Sequence, residues 1–294
     1  MAHLECFHML TTLKFYTTIN TIKQLVLVSK KYRQIFEMLH FNPVPINNKT
    51  IAYFPHLETL HLYNPTDETF GNKVVSSTQI ENTNRVAFYK VVVWFEVDYE
   101  TTITHQTIEY KNICYSKSDR VKYGDKIPPV VHSLGYKCFE KCTFKSFVVP
   151  TQITSLGERC FSDCCNLQSI TIPDTVLSLG KSCFYYCSDL EDVSIGSNVR
   201  SIGSYCFEGC YMNLCTIEIP EGLTSLGDDC FCGCGNLSKV KLPSTLKVFD
   251  IEWFTQCYAL RQIELPRTAQ IDTFYFHIFD TNREVNPLCK LKVK

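Results

Sequence analysis

The feature that most constrains this chain is a unit of about 23 residues that recurs through its second half. The segments Leu134-Gly135-x-x-Cys138-Phe139, Leu156-Gly157-x-x-Cys160-Phe161, Leu179-Gly180-x-x-Cys183-Phe184, Ile202-Gly203-x-x-Cys206-Phe207 and Leu226-Gly227-x-x-Cys230-Phe231 align directly, and Phe249-Asp250-x-x-Trp253-Phe254 is a degenerate sixth copy. Their phenylalanines step by 22, 23, 23, 24 and 23 residues, and Phe279 marks a frayed further copy. A fixed period of this length is the signature of stacked supersecondary units.

Each copy continues alike. A second cysteine stands three residues after the Phe, at Cys142, Cys164, Cys187, Cys210, Cys234 and Cys257. A pattern such as Leu167-x-x-Ile170-x-Ile172-Pro173 follows, with counterparts led by Leu190, Leu214, Leu237 and Leu260. Alternating β-branched and polar residues closed by Pro or Gly predict a short strand. One such unit cannot bury its apolar side, but stacked copies can. The expectation is a solenoid with parallel strands along one face and Phe, Leu and Ile/Val ladders inside.

These residues resemble the BspA-like leucine-rich repeats of bacterial surface proteins and some parasitic protists, whose pattern is close to I-G-x-x-A-F-x-x-C-x-x-L-x-x-I-x-I-P. The match runs from about Ile127 to Pro266. Cysteine replaces the family's Ala at positions 138, 160, 183, 206 and 230, as in protist-type members. The resemblance implies a leucine-rich-repeat solenoid and a recognition role, adhesive in the bacterial relatives. It implies no enzymatic activity and no cofactor.

The remainder divides into an N-terminal cap with a first repeat-like strand (1–64) and a β-rich insert (65–126), ahead of the array with its C-terminal cap (127–294). Residues 1–40 carry apolar positions at helical spacing, including Ile22, Leu25, Val26, Ile35, Phe36 and Leu39, and Asn42-Pro43-Val44-Pro45 ends that pattern. Leu57-x-x-Leu60-x-Leu62 predicts a strand. So does Val91 to Val97 around Trp94, and Thr101 to Tyr110 alternates more weakly. Residues 8–39 also faintly resemble an F-box, which would make the chain an adaptor that binds a Skp1-like protein and recruits a substrate to a ubiquitin ligase.

Function classes narrow from composition. Formal net charge is −1, so no basic field for nucleic acid exists. No apolar stretch is long enough to span a bilayer and no signal-peptide pattern opens the chain, which predicts a cytoplasmic protein, with a peripheral or surface place implied only by the resemblance. Eleven of the seventeen cysteines fall in the two repeat columns. Their spacing follows the coil rather than a zinc site, so they are expected to be reduced, buried packing residues, with Cys232 the most accessible thiol. Gly-x-Ser-x-Gly, His-Glu-x-x-His and P-loop motifs are absent.

The expected work is non-enzymatic binding of a protein partner. Strand alternation turns the residues between the apolar positions outward. These are Ser146 and Val148, Ser169 and Thr171, Asp192 and Ser194, Thr216 and Glu218, Lys239 and Lys241, and Gln262 and Glu264. They form a strip that is small and neutral at one end and charged at the other.

Overall fold

The computed structural model describes residues 18–28, 36–75, 85–266, 270–271 and 290–293. The chain divides into two compact units, Met1–Ile113 and Cys114–Lys294.

In the first unit, helix α1 (Ile19–Val28) covers part of the expected helical region. By Phe36 the backbone runs in turns, with Phe36 and Leu39 buried. The rest of the F-box-like segment, and Phe279 of the frayed repeat, lie outside the described residues. Strand β1 (Thr59–Leu62) pairs in parallel with β2 (Lys90–Asp98), Leu60 opposite Val91 and Leu62 opposite Val93, all four buried. The weak alternation from Thr101 onward does not make a strand there. The chain forms helix α2 (Tyr99–Thr104), because the Asp98 side chain accepts from the Thr101 N–H and caps it. Extended structure resumes at β3 (Glu109–Tyr115).

The second unit opens on helix α3 (Lys117–Tyr123), which the sequence reading missed. Its signal was a capping box, Ser116 bonding the Asp119 N–H while Asp119 reaches back. The array then winds through seven coils, each carrying two strands. The expected strands form one column, β5 (Ser146–Val148), β7 (Ser169–Thr171), β9 (Asp192–Ser194), β11 (Thr216–Glu218), β13 (Lys239–Lys241) and β15 (Gln262–Leu265), and an unexpected strand, β17 (Lys290–Val293), extends it. A second column consists of two-residue strands: β4 (Ser133–Leu134), β6 (Ser155–Leu156), β8 (Ser178–Leu179), β10 (Ser201–Ile202), β12 (Ser225–Leu226), β14 (Val248–Phe249) and β16 (Gln270–Ile271). Where neighbouring strands pair, the pairing is parallel and in register, as a coil that repeats its own geometry requires.

The Cys-Phe turn is a third ladder. Phe139, Phe161, Phe184, Phe207 and Phe231 each donate their N–H to the next coil, to the carbonyls of Cys160, Cys183, Cys206, Cys230 and Trp253. Reaching those acceptors puts the residue before each column cysteine in the left-handed region, from Lys137 to Asp229. The phenylalanine rings are fully buried and stack face to face, with centroids 5.3–5.5 Å apart and planes within 13°.

Two columns break, each where the repeat departs from its own rule. The Cys-to-Leu segment has two intervening residues in Cys164–Leu167, Cys187–Leu190, Cys234–Leu237 and Cys257–Leu260, but three in Cys210–Leu214. There the long column splits into β5-β7-β9 and β11-β13-β15-β17. The short column is interrupted between β12 and β14, where Asp250 replaces the repeat glycine. At Gly227 an added Cβ would lie 2.2 Å from the Ser204 nitrogen of the preceding coil. A side chain at this position holds coils apart.

All eleven column cysteines are buried and none forms a disulfide. The second column is also bonded: Cys164, Cys187, Cys210, Cys234 and Cys257 each point Sγ at the carbonyl oxygen of the preceding coil's Phe, at 3.1–3.3 Å. A thiol here is both a small apolar filler and a donor for a carbonyl the turn leaves exposed to the core. Burial pushes Cys160, Cys183, Cys210, Cys230 and Cys234 well above the ordinary thiol range, so all stay protonated and unreactive. Cys232 is only half-buried, with burial raising it to about 11, whereas Cys165 and Cys215 are exposed. A thiol reagent followed by site mapping should therefore label Cys165 and Cys215 quickly, Cys232 slowly, and the column cysteines only in denaturant. Rapid native labelling of any column cysteine, or a disulfide between two of them, would contradict this packing.

Candidate functional site

The outward residues of the long column are brought side by side in two rows. One holds Ser146, Ser169 and Asp192, then Thr216, Lys239, Gln262 and Lys290. The other holds Val148, Thr171 and Ser194, then Glu218, Lys241, Glu264 and Lys292. Between the rows Ile170, Ile217, Val240 and Ile263 point into the core and are at most 5% exposed. Neighbouring strands lie about 4.8 Å apart, so adjacent side chains within a row touch.

Thr171, Asp192, Ser194, Thr216, Glu218, Lys239 and Lys241 are exposed, and Ser169 and Gln262 half-buried. Glu264 differs from expectation, with only 4% of its surface exposed. Its Oε1 lies 2.8 Å from Lys239 Nζ and accepts from Gln262 Nε2 at 2.8 Å. Strand β17 flanks it, placing Lys292 in register with it. Alternation assigns a face, but only the neighbours decide whether a side chain on that face is covered. Lys239 consequently anchors a buried carboxylate instead of offering a free charge. Lys241 pairs with Glu221 at 3.1 Å. The Ser244 N–H, with Lys241 behind it, holds the Glu221 carboxyl below the usual carboxylate range.

Lys290 and Lys292 extend both rows and were not picked out from sequence. Their signal was there: Lys290-Leu291-Lys292-Val293 repeats the polar-apolar alternation of Lys239-Val240-Lys241-Leu242.

A cavity of about 690 Å³ lies over β11, β13 and β15, lined by Thr216, Glu218, Glu221, Lys239, Lys241 and Glu264, and it extends to Ile195 and Ser197 just past β9. A second concavity of about 540 Å³ lies over the turn column, where Tyr186, Tyr211 and Tyr258 surround Gly209, Gly233 and Gly235. Among the described residues no group of three or more His, Cys, Asp or Glu is arranged to hold a metal ion. No helix among them is long and apolar enough to cross a membrane.

The model of the BspA type leucine rich repeat region matches six copies in this chain, over residues 108–213 and 183–285. Among solved structures, a leucine-rich repeat protein of T. pallidum is 25% identical over 45% of this chain and 63% of its own, with a TM-score of 0.42. A leucine-rich repeat protein from Bacteroides ovatus is 19% identical over 82% of this chain and 55% of its own, at 0.44. A leucine rich cell surface protein from Faecalibacterium prausnitzii is 17% identical over 69% and 64%, at 0.36. The chain thus spans less than two thirds of the length of each of these three. No curated protein matches it. With the family model covering residues 108–285, more than half of the sequence, the chain belongs to the BspA-type leucine-rich-repeat family.

Proposed function

We propose that the second unit is a non-enzymatic protein-recognition module and that the long strand column is its contact surface. The observation that supports this is the pair of in-register rows. Ser169, Thr171, Asp192, Ser194, Thr216, Glu218, Lys239, Lys241, Gln262 and Glu264 lie on a framework fixed by parallel pairing, so their spacing is set before any partner arrives. A preformed surface loses little conformational entropy on binding, which favours affinity per contact. Its mixed charge, with Glu218, Lys241, Glu264 and Lys292 alternating along one row, suits selection among partners by complementarity rather than a general attraction to one sign.

The test is substitution on the face with a control off it. Thr171→Glu together with Lys241→Glu changes both halves of one row at exposed positions, and should shift stability by about 0.5 kcal/mol each. Lys239 is unsuitable, because its loss would strand the buried Glu264. Proximity labelling in cells should show partners of the parent depleted in this variant and retained in Ser225→Glu, an exposed position in the short column. An unchanged partner set with a folded variant, or equal loss in the Ser225→Glu control, would move the contact surface elsewhere.

A further inference from the structure

We propose that the concavity over the turn column is a binding site for a neutral sugar ring, held in a notch at the fifth coil. It is built by the turns, not by the two strand rows, so it stands or falls apart from them.

Two turn positions make the notch. The first follows the second column cysteine and is Cys165, Ser188, Tyr211, Gly235 and Tyr258 from the second coil to the sixth. A carbon added at Gly235 would lie 3.9 Å from Tyr211 Cβ, and Ala259 N donates to Gly235 O, so these residues stand one above another. The other position, two residues after the Phe, holds Tyr186, Gly209, Gly233 and Gln256 from the third coil to the sixth, all with positive φ.

The fifth coil therefore presents glycine at both positions. A carbon added at Gly233 would have only Gly209 backbone atoms within 4 Å, and one at Gly235 only the carbonyl oxygen and Cβ of Tyr211, chain neighbours aside. The backbone there is a bare floor. On one side stands Tyr211, while the Tyr186 ring lies across Gly209, 2.8 Å from where a Cβ would be. On the other side stand Gln256 and Tyr258. The three tyrosines are 44–55% exposed. Aromatic surface gathered in one place and left in water marks a contact site. Tyr211 and Tyr258 are two coils apart, roughly 10 Å at about 4.8 Å per parallel step. A guest ring that makes carbon contacts at about 4 Å on either side fits there once.

The lining selects the guest. No charged residue lines the concavity. Its polar side-chain groups are phenol hydroxyls and the carboxamides of Asn236 and Gln256, which both donate and accept. Asn236 Nδ2 donates to Met212 O, which leaves Oδ1 as an acceptor at the rim. A pyranose matches this set. Its C–H face packs on tyrosine rings, and its hydroxyls donate as well as accept at the edge. A polyproline segment also suits aromatic grooves, but it offers carbonyl acceptors only and leaves the Asn236 oxygen without a donor. A charged sugar meets no counter-charge.

The experiment is saturation-transfer difference NMR on the full chain with cellohexaose, mannohexaose and chitohexaose, beside hexagalacturonate and decaproline, with titration for affinity. At least one neutral hexasaccharide should receive saturation, strongest at its ring C–H protons. Hexagalacturonate should bind at least tenfold more weakly, and decaproline should not displace the neutral sugar. Gly235→Tyr places a ring in the notch, and its first carbon meets nothing closer than 3.6 Å. That variant should lose at least tenfold in affinity with circular dichroism unchanged, and so should Tyr211→Ala/Tyr258→Ala. Thr171→Glu/Lys241→Glu, on the strand rows, should bind the sugar as the parent does. No transfer to any of the three neutral hexasaccharides, hexagalacturonate binding equally well, or full binding by a folded Gly235→Tyr variant would overturn the site. Displacement by decaproline would assign the notch to a polyproline segment and overturn the sugar. Loss of sugar binding in Thr171→Glu/Lys241→Glu alone would put the sugar on the strand rows and overturn the notch.

Discussion

Phe184→Ala and Phe207→Ala should each lower the unfolding free energy by about 3–5 kcal/mol, the range for deleting a large aromatic side chain from a packed core. Both rings are fully buried, and each stacks on a ring from the coil before and the coil after: Phe184 at 5.5 and 5.3 Å, Phe207 at 5.3 and 5.5 Å. The cavity therefore opens on three coils at once. Collapse is hindered because the turn backbone on both sides is fixed by the Cys-Phe hydrogen-bond ladder. Because each coil is stabilised chiefly by its neighbours, loss of amide protection should extend into the adjacent repeats rather than stay at the substituted one. Tyr258→Ala, an aromatic truncation at a residue 55% exposed, should stay within about 0.5 kcal/mol of the parent. Urea unfolding of the three variants reads this directly. Parent-like melting of either Phe variant would mean that the ring column is not the core.

The second large effect is expected from adding a single carbon. At Gly180 a Cβ would lie 2.5 Å from the Gly157 carbonyl carbon and 2.6 Å from the Glu158 nitrogen. Both are backbone atoms of the preceding coil, and that coil is tied down by the Arg159 N to Lys181 O bond. No side chain can rotate away, so the coils must separate. Gly180→Ala should cost about 3 kcal/mol, the upper end for overpacking a rigid interior. Gly235→Ala is the internal control. Its added carbon meets nothing closer than the Tyr211 carbonyl oxygen at 3.6 Å, so the change should be neutral or gain about 0.5 kcal/mol by restricting the unfolded chain. If both glycines tolerate alanine equally, close coil approach is not what keeps glycine in the repeat.

What was legible in the sequence is what the period itself encodes. The spacing of Phe139 through Phe254 placed the core column, and the Leu-x-x-Ile-x-Ile pattern placed the long strands and their outward residues. The second strand column was less visible because each of its strands has only two residues, such as Ser178–Leu179, too short for alternation to register. Local capping was underweighted: Asp98 and Ser116 start helices in a stretch whose β-branched residues suggested strand. Accessibility within the strip was the least legible. Whether Glu264 is covered depends on Lys239, Gln262 and a strand that begins 26 residues later. The break in pairing between β9 and β11 was present in the sequence as one extra residue before Leu214. The count was visible; its effect on pairing required the neighbouring coils.

The two column breaks are staggered, and this bears on how the array comes apart. Between the third and fourth coils the long strands separate, but β8 still pairs with β10 and Phe184 N still reaches Cys206 O. Between the fifth and sixth coils the short strands separate, but β13 still pairs with β15 and Phe231 N still reaches Trp253 O. As in offset brickwork, no single joint runs through the wall. Each weakened seam is bridged by the courses that remain whole, so the array can tolerate irregular repeats at two positions and still unfold as a unit, without shearing into blocks.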